Sequence, residues 1–242
     1  MPALYGTVDV YPFASAVALA HRFPYSPRPA LQSYAAYTPR LSRMDAEHLQ
    51  GAHAPDNILF EVAPIDGRFP ALDDSLSLPE LLTRYEARGG VAGRFLLLIR
   101  SSRPRTYSLT PIADLKGRMG QLMTLPLSST GKPIWATVEL RSTWRGSAAA
   151  MLFKPPVISM VVRERGGRVK SYRVLPELVG AGFMLSPVIE DPGDMLNLLQ
   201  SGKGLPLQGN HVEAIAIGGD GIDWAFAPEF ELKLWTIDIQ ER

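Results

Sequence analysis

The sequence predicts an α+β protein in which a small α/β N-terminal half packs against a β-sandwich, jelly-roll-like C-terminal half. Three observations predict it. Strand-sized and helix-sized apolar patterns alternate over residues 1 to about 115, as in a small α/β unit. From about Gly120 onward the helical signals nearly vanish and strand-sized runs joined by turns take over, the pattern of a sandwich or jelly roll. The 21 prolines and 21 glycines favour many turns and short elements over long helices. The division places an α/β subdomain over 1–117 and a β-sandwich subdomain over 118–242.

In order, Leu4 to Val10 reads as a strand and Pro12 to Arg22 as a short helix, with its proline in the first turn, where a missing N–H costs little. Pro24, Pro27 and Pro29 bar a regular helix up to Ala30, since each removes a donor and restricts the residue before it. Thr38-Pro39 then supplies an N-cap and first position for a helix to about Leu49. Asn57 to Val62 reads as a buried strand, and Asp66-Gly67 as a turn. Ser77 ahead of Pro79 and Glu80 starts a helix over about Leu78 to Arg88, stopped by Gly89-Gly90. Gly93 to Arg100 and Tyr107 to Ile112 add strand-sized runs.

The clearest structure lies between Trp135 and Pro176. Trp135 to Arg141 alternates apolar and polar, Val157 to Val162 is nearly all apolar, and Val169 to Leu175 alternates again. These predict three strands, the middle one buried on both faces, with a tight turn at Gly166-Gly167. The Lys154-Pro155-Pro156 stretch reads as a rigid lead-in to the middle strand. Gly182 to Val188 reads as a short strand. Asp191 to Leu199 reads as a helix capped by Asp191 or Asp194 and stopped by Gly202. His211 to Ile217 and Phe230 to Ile239 complete the strands. In the last, the apolar residues switch face near Trp235, which calls for a bulge or for cover on both faces.

Composition narrows function. Lys+Arg of 25 against Asp+Glu of 24 leaves a net charge of +1, with no basic excess to hold a nucleic acid. Without cysteine there are no disulfides, thiolate metal sites or Cys nucleophiles. No apolar run approaches the roughly 18 residues of a membrane span, and no basic segment leads into an apolar one as in a signal peptide. Taken alone, these features predict a soluble, cytoplasmic chain.

Catalytic motifs are missing too. The sequence has no Gly-x-Ser-x-Gly elbow and no Walker loop. His48 and His53 straddle Gly51 and do not share a helix face, while His21 and His211 lie elsewhere, so no metal or cofactor is expected. Gly218-Gly219-Asp220-Gly221 sits between two strands and reads as a loop rather than a phosphate cradle. A Tyr/Arg/Asp group remains: Arg28, Tyr34, Tyr37, Asp66, Arg68 and Asp74. It surrounds Pro-rich and turn-rich segments and offers aromatic faces and hydrogen-bonding groups for a ligand. Trp135, Trp144, Trp224 and Trp235 are second candidates, for stacking on sugar rings. Asp66 with Asp73 or Asp74 could alternatively form the carboxylate pair of a carbohydrate hydrolase or transferase, which needs the two groups about 5–10 Å apart across a cleft.

Four segments carry a resemblance: QSYAAYTPRLSRMDAEHL (Gln32 to Leu49), APDNILFEVAPIDGRFPALDD (Ala54 to Asp74), IWATVELRSTWRGSAAAMLFKPPVISMVV (Ile134 to Val162) and YRVLPELVGAGFMLSPVIED (Tyr172 to Asp191). Together they resemble a family of uncharacterised bacterial polytopic membrane proteins, glycosyltransferase-like envelope proteins with a large soluble region beside their membrane helices. The family contributes no catalytic residues to carry over. The resemblance implies that this chain is the soluble region on the extracytoplasmic (periplasmic) face of the inner membrane. Its expected role there is non-catalytic: to bind a glycan, an envelope component or a partner protein, or to dock on its own or a neighbouring membrane domain. A purely structural scaffold role fits the lack of motifs as well.

Overall fold

The computed structural model describes residues 3–126, 131–150, 156–201 and 209–240. Its fold is α+β, with strand outweighing helix at about 40% against 24%. The N-terminal sheet is built from β1 (Val8–Tyr11), β2 (Asn57–Phe60), β3 (Tyr85–Val91) and β4 (Phe95–Arg100), in the order β1-β2-β4-β3. β1 and β2 run parallel and the other pairs antiparallel. The runs VDVY, NILF and FLLL are buried at every position, because alternate side chains serve different cores. Leu59, Phe95 and Leu97 join Val8, Val10 and Ala18 on one side, while Ile58, Phe60, Leu96 and Leu98 join the main core on the other.

Helices α1 (Ala16–Ala20), α2 (Pro39–Gln50) and α3 (Ser77–Arg84) complete this half. The cap of α2 is the one the sequence predicts: Thr38 Oγ1 accepts the Leu41 N–H at 3.3 Å, with Pro39 at the first position. The helix expected to reach Arg88 instead ends at Arg84, and Tyr85 to Val91 is a strand that runs through Gly89-Gly90. Pairing with β4 overrides the helical pattern. Its register shifts between Ala87 and Gly89, where a φ of 116° suits glycine alone.

The C-terminal strands are β5 (Thr106–Arg118), β6 (Met123–Thr124), β7 (Ile134–Ser142), β8 (Ile158–Glu164), β9 (Val169–Val174), β10 (Phe183–Ser186), β11 (Val212–Gly218) and β12 (Phe226–Gln240). They form two four-stranded sheets, β10-β7-β12-β5 and β6-β11-β8-β9. β5, counted with the N-terminal subdomain in the sequence division, is thus hydrogen-bonded to β12 in a C-terminal sheet. The stretch from Trp135 to Pro176 divides between the two sheets. β8 is not buried on both faces: Ile158, Met160 and Val162 are buried, whereas Ser159, Val161 and Arg163 are half-buried. The Gly166-Gly167 turn joins β8 to β9, with Gly167 N–H donating to the Glu164 carbonyl at 2.8 Å. In β12 the register against β5 shifts between Leu234 and Trp235, the bulge the sequence calls for, so that Phe230, Leu232, Leu234 and Ile237 are all buried.

Three further helices are α4 (Trp144–Ala150), α5 (Pro176–Ala181) and α6 (Pro192–Ser201). The first two go unread in the sequence, being too short to show a helical period. For α6, Asp191 Oδ1 accepts the N–H groups of Gly193 and Asp194 at 2.7 and 2.9 Å, a cap of the predicted kind. Lys154-Pro155 and the Gly202 stop lie outside the described residues. Among the described residues, no helix is long and apolar enough to cross a membrane.

One apolar cluster takes in all three sheets, through Phe60 and Leu98, Val138 and Phe230, and Ile158 and Met160. A loop reinforces the junction. Arg173 N–H donates to the Gly67 carbonyl at 2.7 Å, and Phe69 N–H to the Arg173 carbonyl at 3.1 Å, so residues 67–69 lie along the outer edge of β9. That satisfies backbone groups that an edge strand would otherwise leave open.

Candidate functional site

The short strand β1 carries Asp9 between two buried valines, and its side chain is itself fully buried. A carboxylate cannot stay ionised there without a partner. Arg28 supplies it: Nη1 donates to Asp9 Oδ2 at 2.9 Å and to the Val10 carbonyl at 3.2 Å. Nη2 donates to the Pro12 carbonyl and to Ser33 Oγ, and the guanidinium lies 3.7 Å from the centre of the Tyr11 ring. Only 1% of Arg28 is exposed.

Two more carboxyls join from other elements. Asp45, on the inward face of α2, accepts the Ala30 N–H through Oδ1 at 2.8 Å. Asp74, in the loop before α3, has Oδ2 3.9 Å from Arg28 Nε, an ion contact too long for a hydrogen bond. Three buried carboxyls thus share one guanidinium. Burial pushes Asp45 up to about 6, against the pull of the Ala30 N–H and Arg28. Asp74 is driven well above the usual carboxylate range, first by burial and then by the charge of Asp45. Burial also raises Asp9 and, strongly, the Tyr11 phenol.

A stability profile follows from these shifts. A carboxyl whose pKa is higher in the fold than in the unfolded chain stabilises the fold in its protonated form. For Asp45 that contribution is complete below its ordinary value of 3.8 and is lost as pH rises through about 6. The urea midpoint of Asp45→Asn is therefore expected to gain on the unchanged protein as pH goes from about 4 to 7. Parallel profiles for the two proteins would refute the assignment.

A recess opens beside this cluster, with a volume near 60 Å³. Its floor includes Tyr11, Asp74, Ser75 and Ser77, all buried. Phe60, Leu78, Leu81 and Ile189 form an apolar wall, and the outer lining is half-buried at Val62, Ala63 and Pro70 and exposed at Pro64. Tyr11 Oη and Ser75 Oγ have no hydrogen-bond partner among the described residues, while the Asp74 carboxyl is met by the hydroxyls of Ser42, at 3.5 Å, and Ser77. Buried polar groups are normally paired, so two unpaired hydroxyls on residues that line one recess set it apart. Glu61 and Asp73 also line the recess, each held by its own arginine: Arg94 Nη2 donates to Glu61 at 2.7 Å and Arg68 Nη1 to Asp73 at 2.9 Å.

Of the six residues singled out in the sequence, the structure brings Arg28 and Asp74 together at the cluster. Arg28 spends its Nη donors on protein acceptors, so it braces the site and offers those groups to no ligand. Arg68 donates to the Tyr34 carbonyl at 3.1 Å as well as to Asp73, and Tyr34 packs edge-on against Phe13. Asp66 stands apart: its side chain is 58% exposed and paired with Arg173 at 3.3 Å. Tyr37 is 53% exposed. Asp66, Asp73 and Asp74 thus have three different partners.

The tryptophans divide. Trp135 is buried beside Gly182, where an added Cβ would come within 2.4 Å of its ring nitrogen, and Trp235 is half-buried. Trp144 and Trp224 are exposed, near one another through Thr143, whose N–H donates to Ala225 and whose hydroxyl donates to the Trp224 carbonyl. Among the described residues, no group of three His, Asp or Glu side chains is placed to hold a metal ion.

Sequence reasoning missed Asp9, Tyr11, Asp45, Ser75 and Ser77. A signal existed for two of them. Asp9 interrupts an apolar strand, and Asp45 shares a helix face with Ser42 and Leu49, all buried. Comparison with known protein families, curated proteins and solved structures finds no match to this chain.

Proposed function

We propose that this chain is a non-catalytic binding domain, the extracytoplasmic region of a bacterial envelope membrane protein of the kind its segments resemble, and that it takes up a glycan or another envelope component at the recess. The observation that carries this reading is the recess itself, where the buried Asp74 carboxyl and the unpaired hydroxyls of Tyr11 and Ser75 belong to the lining beside an apolar wall. Ligand sites combine those two features. A carbohydrate-active hydrolase or transferase would need Asp66 facing Asp73 or Asp74 across a cleft. Asp66 lies on the surface with Arg173 and Asp73 with Arg68, so the geometry favours binding over catalysis.

Thermal-shift screening against sugars and envelope glycans tests the reading. A ligand at about 100 times its dissociation constant adds roughly 2.7 kcal/mol. At least one compound is expected to raise the melting temperature of the unchanged protein, and Ser75→Val is expected to abolish the shift. No shift with any compound, or a shift untouched by Ser75→Val, would overturn it.

A further inference from the structure

Two sheet edges are closed by the chain itself. Residues 67–69 run along β9, and at β1 the Val8 N–H donates to the Pro24 carbonyl and the Ser26 N–H to the Val8 carbonyl, both at 2.9 Å. β5, an edge strand of the sheet β10-β7-β12-β5, has no such cover. Among the described residues, no backbone group of residues 106–111 bonds outside the pairing with β12, and all six residues are exposed. An open edge offers its unpaired N–H and C=O groups to any further strand, and natural proteins blunt it with charge or proline. The second half of β5 is blunted in that way, by the exposed Asp114, Lys116 and Arg118. Pro111 has no N–H to offer. Residues 106–110, Thr-Tyr-Ser-Leu-Thr, are left with neither charge nor proline.

The apolar face of this stretch is unfinished. Leu109 stands opposite Ile237 of β12 and Tyr107 opposite Ile239, so these four side chains share a face. Ile237 is buried and Ile239 half-buried, yet Tyr107 and Leu109 stay 38% and 40% exposed. Past Thr236, β12 has no residue of β7 beside it. This end of the sheet is therefore a two-stranded ribbon, which is marginal without further strands.

A second copy of the same strand fits the edge. The stretch is near-palindromic about Ser108. A twofold axis there sets Thr106 opposite the partner's Thr110, Tyr107 opposite the partner's Leu109, and Ser108 opposite its own counterpart. An aromatic on an aliphatic and a threonine on a threonine are pairs that stabilise antiparallel strands. The Thr110 hydroxyl donates to Asp238 at 2.6 Å and keeps its oxygen as an acceptor for the partner's Thr106. No like charges meet. A strand of unrelated sequence would gain the backbone bonds alone, whereas an isologous interface requires this self-complementarity.

We infer that residues 106–110 pair antiparallel with the same residues of a second copy, joining two four-stranded sheets edge to edge. Five residues a side is small beside the roughly 20–30 of a standard interface, so the dimer is reversible.

Sedimentation equilibrium of the whole chain over a range of concentrations tests it. The mass is expected to rise toward that of two chains with concentration, and Ser108→Lys, which sets two ammonium groups at the axis, to weaken association at least about tenfold. The protein has no cysteine, so Ser108→Cys gives a second reading. Paired strands hold opposite Cα atoms about 4.5–5.5 Å apart, within disulfide reach, and mild oxidation is expected to yield a covalent dimer. Lys116→Cys, exposed on the same strand but off the axis, is expected to yield none. A single-chain mass up to the solubility limit, or a dimer untouched by Ser108→Lys, would overturn the inference. So would equal cross-linking of the two cysteine variants.

Discussion

The Arg28→Ala protein is expected to lose about 3–5 kcal/mol of folding stability, the usual cost of removing one partner from a buried ion pair. Arg28 is the cation at the centre of three buried carboxyls, and its side chain reaches Asp9, the Val10 and Pro12 carbonyls and Ser33. Alanine deletes all four hydrogen bonds and the contact with the Tyr11 ring. It leaves Asp9 with backbone N–H donors alone, those of Val10 at 2.8 Å and of residue 28. Urea unfolding at pH 7 measures the loss. Arg28→Lys is expected to fall in between, because an ammonium keeps the charge but lacks the planar fork that spans Asp9 and Pro12. A loss under about 1 kcal/mol for Arg28→Ala would refute the assignment, since an ion pair worth that little is typical of exposed surfaces. The same substitution is expected to disturb the recess, because Arg28 fixes the neighbours of Tyr11 and Asp74.

Legibility differed between the fold and the site for a physical reason. Strands announce themselves locally: the alternation of Trp135 to Arg141, the face switch at Trp235 and the Thr38-Pro39 cap are properties of consecutive residues, and each has its counterpart in β7, the β12 bulge and α2. Where local pattern and long-range pairing compete, as at Tyr85 to Val91, pairing with β4 prevails and the helical reading of that stretch fails. The site depends wholly on such long-range placement. Asp9, Arg28, Asp45 and Asp74 come from a strand, a Pro-rich loop, a helix and a second loop. Proximity in the chain grouped Asp66 with Asp74, yet the turn at Asp66-Gly67 sends Asp66 to the surface beside Arg173. Polar residues on apolar faces were the better guide. Asp9 within VDV and Asp45 on the inward stripe of α2 each demand a partner, and a search for a shared partner leads to Arg28.

Phe69→Ala is expected to cost about 3–5 kcal/mol, the range for deleting a buried aromatic ring, and to expose how the two halves depend on each other. Phe69 follows the Asp66-Gly67 turn and is fully buried. Its ring stands edge-on to Tyr172 of β9 at 5.2 Å and to Phe183 of β10 at 5.5 Å. One side chain from the N-terminal half thus touches both C-terminal sheets, and the Phe69 backbone N–H donates to the Arg173 carbonyl within β9. Phe69→Leu keeps most of the apolar volume and is expected to lose less than half as much, the shortfall reflecting the two edge-on contacts at about 0.5–1.5 kcal/mol each. Urea unfolding followed by tryptophan fluorescence and by far-ultraviolet circular dichroism distinguishes two forms of the result. A single coincident transition moved to lower urea means that the shared core still couples the halves without the ring. Two separated transitions mean that Phe69 is the principal tie, because Trp135, Trp144, Trp224 and Trp235 all belong to the C-terminal half and report its unfolding alone. An unchanged midpoint would show that the contacts of Phe69 with Tyr172 and Phe183 contribute nothing to the fold.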